Sequence, residues 1–341
     1  MPPSVDALID RACGERCSAI VVRIERGGRV VYERAAGSTR RIDGDPIAVD
    51  TRFDVASITK VFVATVALAL VARDELELDE PLVELVPEWR TNAHAAVTLR
   101  RLLAHTGGFR SGADYRTLLG ENVEKFALLL PLVAAPGERV IYSDLGFLAL
   151  GVVLARRAGR SLQALIETTL HAFGATRTTF LPRPTREAIP ATERDTWRGL
   201  VQGAVHDEKA ALAGGVAGHA GLFADARDVA LLGEWYLGPL FGRPSPLPSA
   251  LAGEAISEQA GDPVLRRGLG WALKTSDENS CGPAMSRETF GHTGFTGTCV
   301  WVDAVRDLNV VILTNAVHFG RGDLRDVRSA ICSAIVAEFA A

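Results

Sequence analysis

The stretch Val61-Phe-Val-Ala-Thr-Val-Ala-Leu-Ala-Leu-Val-Ala72 is apolar around its whole circumference when wound as a helix. Such a helix is stable only when other elements enclose it on every side, so the remaining chain must be built around it. It is too short to span a bilayer. Just before it stands Phe53-Asp-Val-Ala-Ser57-Ile-Thr-Lys60, which puts polar residues at the entrance of a buried element. On a helix, Ser57 and Lys60 share one face, one turn apart. A hydroxyl beside an amine in a partly desolvated place is one way to activate a serine nucleophile. An N-cap serine with a solvated lysine would satisfy the same spacing, so the stretch alone leaves both readings open.

The 341 residues suffice for one large or two ordinary domains. Hydrophobic residues make up 48% and charged residues 23%, as in an ordinary globular protein. With a net charge of −4 and no basic run, neither nucleic acid nor an anionic membrane is an expected partner. Five scattered cysteines (Cys13, Cys17, Cys281, Cys299, Cys332) do not form a disulfide framework, and Cys13-x-x-x-Cys17 lacks a second pair at zinc spacing. The N-terminal segment has two aspartates and neither a basic n-region nor an apolar h-region. As written, the chain reads as cytoplasmic.

Residues 4–16 suit a short helix. Ser18–Arg26 and Arg29–Glu33 read as strands joined across Gly27-Gly28, a strong hairpin signal. An acidic turn covers 74–81, and helical patterns recur at 97–103, 121–134 and 144–173. Residues 182–199 and 238–253 read as loops. Gly268–Leu273 is a candidate strand, and 297–302 with 309–314 a second hairpin. The tail 323–339 is an amphipathic helix with Leu324, Val327, Ile331 and Ile335 on one face. Strands at both ends imply one sheet built by the termini. The expected fold is therefore α+β: an antiparallel sheet flanked by helices (residues 1–56 and 222–341) carrying a mainly helical inserted domain (57–221).

Three further clusters bear on Ser57. Tyr142-Ser143-Asp144 precedes an apolar helix, where the carboxylate could simply be an N-cap. Gly291-His292-Thr293-Gly294-Phe295-Thr-Gly297 lies at the head of a strand, where glycines admit close approach of a ligand. Gly214–Gly221 is a tight glycine loop. It is not a phosphate loop, since no Lys-Ser/Thr follows, and Asp225 or Asp228 can cap the next helix. His206, Asp207 and His219 are near enough in sequence to approach a metal, although polar loop positions explain them as well.

Ser57-x-x-Lys60, Tyr142-x-Asp144 and His292-Thr293-Gly294, in that order, resemble the three motifs of the penicillin-recognising serine hydrolases. The similarity is to the branch holding class C β-lactamases, D-alanyl-D-alanine carboxypeptidases and related esterases. Leu102-Leu-Ala-His-Thr-Gly-Gly-Phe109 and Gly218-His-Ala-Gly-Leu-Phe223 look like that branch too, and no Gly-x-Ser-x-Gly elbow points to an α/β-hydrolase. The resemblance implies a β-lactamase/transpeptidase-like fold. It implies Ser57 as acylated nucleophile, Lys60 as its proton acceptor or positioner, and Tyr142 as partner base. The backbone N–H groups of Ser57 and Phe295 would form the oxyanion hole, with the positive end of the Ser57 helix behind it. Asp144, His292, Thr293 and Gly294 would line the substrate. No cofactor or metal is implied.

Two residues depart from the branch. Asp144 stands where Asn is usual, and an ionised Asp cannot donate to a substrate carbonyl but would keep Lys60 protonated. His292 replaces the usual Lys and is only partly charged near neutral pH, so it would hold a substrate carboxylate less firmly. Both changes favour a neutral ester, lactone or small amide. The expectation is thus a serine hydrolase acting through an acyl-enzyme on a small ester or amide. The alternatives are a D-alanyl-D-alanine carboxypeptidase or β-lactamase, and a non-catalytic binding module on the same fold. Oligomeric state is not encoded legibly.

Overall fold

The computed structural model describes residues 3–90, 93–181, 188–262 and 266–340. After helix α1 (Val5–Glu15) come β1 (Ala19–Arg26) and β2 (Arg29–Gly37), turning at Gly27 and Gly28 with φ of 60° and 70°. Two successive positive φ values are what a two-residue hairpin turn needs, and glycine reaches them freely. β3 (Phe53–Asp54) leads through a single turn of 3-10 helix, Ala56–Ile58, into α2 (Thr59–Val71). Every residue of α2 from Thr59 to Leu70 is buried. Val61, Phe62, Val63, Val66, Leu68 and Leu70 together contribute on the order of 10 kcal/mol of gross burial free energy, an upper figure because unfolded chains already hide some surface.

The segment after α2 is mostly helical: α3 (Leu99–Leu103), α4 (Val123–Leu129), α5 (Asp144–Ala158) and α6 (Leu162–Ala172). The expected 144–173 helix is two helices, because Gly159 takes a left-handed φ of 62° that ends α5 and Ser161 caps α6. The expected 121–134 helix shrinks to α4. β4 (Thr179–Phe180) follows, then a short ribbon of β5 (Glu193–Asp195) and β6 (Gly199–Val201), α7 (Glu208–Leu212), β7 (Leu222–Ala224) and α8 (Ala226–Leu237). The loop expected at 182–199 thus contains a strand, and its residues 182–187 lie outside the described residues. α9 (Ser249–Ala255) occupies the end of the other expected loop.

The last part supplies β8 (Ala272–Leu273), β9 (Thr289–Thr293), β10 (Cys299–Asp303), β11 (Leu308–Thr314) and α10 (Arg325–Phe339). The strand expected at 268–273 is reduced to β8. Gly270 takes a φ of 82° and lies against Ala64 of α2, so residues 268–271 form a turn over the central helix.

The six-stranded sheet runs β2-β1-β11-β10-β9-β8, antiparallel throughout, with the terminal strand β1 paired to β11 from Ile20↔Thr314 to Arg26↔Leu308. Alternation sends Val21, Val300, Val302, Val311 and Leu313 into the core that contains α2 and α8. Ile20, Val22, Ile24, Trp301, Val310 and Ile312 face α1 and α10. A second small sheet, β3-β7-β4, joins the chain just before the Ser57 turn to the chain just after Gly221. Among the described residues no helix is long and apolar enough to cross a membrane.

Candidate active site

Ser57 does not sit on the long helix. It lies in the 3-10 turn ahead of α2, where Ala56 has a φ of 46°. A positive φ at alanine is strained and needs support. The buried Asp54 carboxylate provides it, accepting from the Ala56 N–H at 2.8 Å and, across the chain, from the His206 N–H at 2.6 Å. Burial pushes Asp54 up to about 6 against those two donors. Thr296 Oγ1 donates to the Asp54 carbonyl and Thr298 Oγ1 to that of Val55, which ties the turn to the end of β9.

Lys60, in the first turn of α2, is fully buried. Its Nζ donates to Ser57 Oγ at 2.9 Å and to the His219 carbonyl at 3.1 Å, and it pairs with Asp144 Oδ1 at 2.9 Å. The solvated-lysine alternative is thereby excluded. Burial alone would lower Lys60, but Asp144 and then Tyr142 outweigh it and hold the ammonium form above its ordinary value. Asp144, also resisting burial, is held below the usual carboxylate range chiefly by Lys60.

Asp144 is not the N-cap of α5. Ser143 is, its Oγ accepting from the Gly146 N–H at 2.9 Å, which frees the Asp144 side chain to reach Lys60. The Tyr142 ring centroid lies 4.9 Å from Lys60 Nζ. His105 fixes this segment: its Nδ1 accepts from the Ser143 N–H at 3.1 Å, its carbonyl from the Ile141 N–H at 2.8 Å, and its ring packs 4.7 Å from Tyr142. The signal for His105 was the Leu102–Phe109 motif, which named the residue without showing its task.

Behind Asp144 the charges continue. Lys209 Nζ lies 3.3 Å from Asp144 Oδ2 and 3.0 Å from Asp207 Oδ2, and Asp207 Oδ1 is 2.8 Å from His219 Nε2. Donor atoms of Asp144, Asp207 and His219 all lie within 4.8 Å of one another, the spacing of a cation site. The ammonium groups of Lys60 and Lys209 already hold those carboxylates, so the cluster is better described as an alternating ion chain than as a metal centre. His206 is not part of it and stacks instead on Phe295, with ring centroids 5.6 Å apart. The Gly214–Gly221 loop brings His219 in by packing on α5, since a side chain at Gly218 would strike the Phe147 carbonyl. Asp225, rather than Asp228, caps α8.

His292 and Thr293 end β9, and both line the cleft with Ser57 and Tyr142. The motif therefore closes a strand where the sequence suggested that it opens one. Gly294 is wedged against Val55 and Thr298, where any side chain would collide, and this brings the Phe295 backbone beside the Ser57 turn. Neither the Ser57 nor the Phe295 amide donates to a backbone carbonyl among the described residues. The Phe295 side chain is exposed at the rim. The expectation of a partly charged His292 is corrected: burial, then Arg267 and Lys60, push it down to about 3, so it is neutral at physiological pH. Arg267, which the sequence reading missed, places its guanidinium 5.1 Å from the Tyr142 ring centroid. No motif surrounds it, and only the fold reveals it. The cleft these residues line measures about 820 Å³.

Comparison with known proteins places the chain in a family and a fold. The profile of the family described as Beta-lactamase matches residues 5–332. An Escherichia coli (strain K12) protein provisionally named D-alanyl-D-alanine carboxypeptidase is 29% identical, over 86% of this chain and 77% of its own length. An N-acetylmuramyl-L-alanine amidase of Bacillus subtilis (strain 168) is 28% identical, over 92% of this chain and 80% of its own. Among solved structures, EstCE1, a hydrolase with promiscuous acyltransferase activity, superposes with a TM-score of 0.78 at 24% identity, covering 96% of this chain and 97% of that one. A class C beta lactamase from Rhodobacter sphaeroides gives 0.76 at 20% identity, with 98% of both chains covered. At these identities the structural likeness establishes the fold.

Proposed function

The chain belongs to the beta-lactamase family of hydrolases, and from that premise we propose that it cleaves a small ester or amide through an acyl-enzyme on Ser57. The observation that carries this reading is the 2.9 Å contact between Lys60 Nζ and Ser57 Oγ on the floor of an open cleft, beside the Ser57 and Phe295 amides. Lys60 is already an ammonium group, so its part is to fix Ser57 Oγ and to favour negative charge near it. Tyr142, acting as its phenolate, takes the Ser57 proton as Oγ attacks the carbonyl carbon. The carbonyl oxygen takes up the charge and accepts from the two amides. Tyr142 gives the proton to the leaving oxygen or nitrogen as that bond breaks. Water then attacks the acyl carbon as Tyr142 takes its proton, the Ser57 ester bond breaks, and Ser57 Oγ regains that proton from Tyr142 as the acid leaves.

Asp144 supports an ester over an amide substrate, because its carboxylate is committed to two lysines and offers no N–H to a substrate carbonyl. Ser57→Ala is expected to abolish turnover of p-nitrophenyl butyrate while the protein stays folded. Wild-type rates in that variant would end the proposal. The name of the Escherichia coli relative and the description of the matching family favour a second reading, a carboxypeptidase or β-lactamase. Mass spectrometry after incubation with penicillin separates the two: a stable adduct or rapid drug loss supports the second, and an unmodified protein with intact drug supports the esterase.

A further inference from the structure

Lys60 Nζ carries three N–H donors, and each has its own acceptor: Ser57 Oγ, the His219 carbonyl and Asp144 Oδ1. Its aim at Ser57 is therefore set by the other two. Both of these lead to the head of α7. Asp144 Oδ2 faces Lys209 Nζ at 3.3 Å, Lys209 reaches Asp207 Oδ2 at 3.0 Å, and Asp207 Oδ1 meets His219 Nε2 at 2.8 Å. The His219 carbonyl then returns to Lys60 at 3.1 Å. The chain of charges closes into a ring.

Asp207 is anchored independently, because its Oδ1 also accepts from the Ala210 N–H at 2.8 Å as the N-cap of α7. Burial works against its charge, but His219 and then Lys209 hold it well below the usual carboxylate range. An ionised carboxylate can only accept, so His219 Nε2 carries the hydrogen between them. Lys209 is buried, and burial alone would lower it, yet Asp207 and then Asp144 hold its ammonium form above the ordinary value. Without Lys209, the carboxylates of Asp144 and Asp207, which offer oxygens within 4.8 Å of each other, would face one another with no cation between them. Two carboxylates so placed share a proton rather than both ionise. A proton on that pair loosens the grip of Asp144 on Lys60 and, with it, the aim of Nζ at Ser57.

We propose that Lys209 is a positioning residue for the nucleophile: it bridges Asp144 and Asp207 and so holds Asp144 onto Lys60, while Asp207 and His219 close the ring behind it. This rests on the serine-hydrolase reading of the same site and adds to it a residue that contacts neither Ser57 nor the cleft.

Turnover of p-nitrophenyl butyrate against pH tests the proposal. The groups that face Asp144 are Lys60 of α2, Lys209 and Asp207 at the head of α7, and His219 of the glycine loop, with Tyr142 beside Lys60. Burial, and more weakly Asp207, raise Asp144, whereas Lys60, His219 and Lys209 lower it. Lys209→Met is therefore expected to move the acid limb of kcat/KM to higher pH by about one unit or more. At neutral pH its kcat falls roughly tenfold or more with KM little changed. Lys209→Arg keeps the charge, leaves the limb in place and recovers kcat in part. Asp207→Asn removes an anion that raises Asp144, so there the limb lies no higher than in the wild type. A limb that stays in place in Lys209→Met, or rises in Asp207→Asn, overturns the proposal. So do equal losses of kcat in the Met and Arg variants, which would mark a packing role. If Lys209→Met fails to fold, Lys209→Gln, which keeps a donor without the charge, carries the same expectation and the same refutation. Ser57→Ala assayed on the same ester tells the two failures apart. Ser57-dependent turnover that ignores the charge at position 209 removes only the role of Lys209, whereas turnover without Ser57 removes the hydrolase reading itself.

Discussion

Replacing Asp144 by Asn changes one oxygen to an NH2 and removes the charge that faces Lys60 at 2.9 Å and Lys209 at 3.3 Å. Lys60 is fully buried and then has two ways to respond. It can stay charged, in which case breaking a buried pair costs about 3–5 kcal/mol. Or it can release its proton at pH 7, which from an ordinary lysine value near 10.4 costs about 4.6 kcal/mol. Lys209 and Asp207 can shift to relieve part of either cost, so the expected loss is about 3 kcal/mol. The sign with pH follows from the directions of the shifts. Asp144 is lowered, so its stabilisation is present above the unfolded carboxylate value of about 3.9 and disappears as pH falls through the lower folded value. Lys60 is raised, so its share is present below about 10.4 and is lost as pH climbs through the higher folded value. Urea unfolding followed by tryptophan fluorescence at neutral pH and near pH 2 measures the loss and its decline in acid. A difference between wild type and Asp144→Asn below about 0.5 kcal/mol at pH 7, well under the cost of a broken buried pair, refutes the reasoning. So does a difference that persists unchanged in acid.

Two other variants probe the supports of the site. His105→Leu leaves the Ser143 N–H without its acceptor and Tyr142 without its stacking ring, so stability is expected to drop by about 1–3 kcal/mol with kcat falling more than KM rises. His105→Asn tolerates the φ of 59° and restores an acceptor, and partial recovery of kcat checks that the role is positional. Gly294→Ala forces a methyl group against Val55 and Thr298 and shifts the Phe295 amide. Loss of an oxyanion donor predicts a fall of about 10²–10³ in kcat with unchanged circular dichroism.

The sequence made legible whatever depends on short-range pattern. The apolar circumference of 61–72 announced a central helix, and Gly27-Gly28 a hairpin, because burial and turn geometry act directly on neighbouring residues. Ser57, Lys60, Tyr142 and His292 could be singled out because their motifs are local, and the structure gathers them around one cleft. Long-range effects were not legible. Asp144 reads as an N-cap until the fold brings Lys60 to it from 84 positions away, and Ser143 then takes the cap. The low proton affinity of His292 depends on burial and on Arg267 and Lys60, neither of which is near it in sequence. Arg267 itself carries no pattern. The turn at 268–271 looked like a strand because its apolar residues alternate, and only contact with Ala64 shows why glycine at 270 bends it.

The central claim is that Ser57 is the nucleophile, activated in place by Lys60. Stoichiometric labelling with a fluorophosphonate, read by peptide mass spectrometry, tests it most directly because the phosphonyl group is not turned over. The account predicts one label per chain, on Ser57, lost in Ser57→Ala and strongly slowed in Lys60→Met. A label on another residue, or a wild-type protein that takes up none, would contradict it.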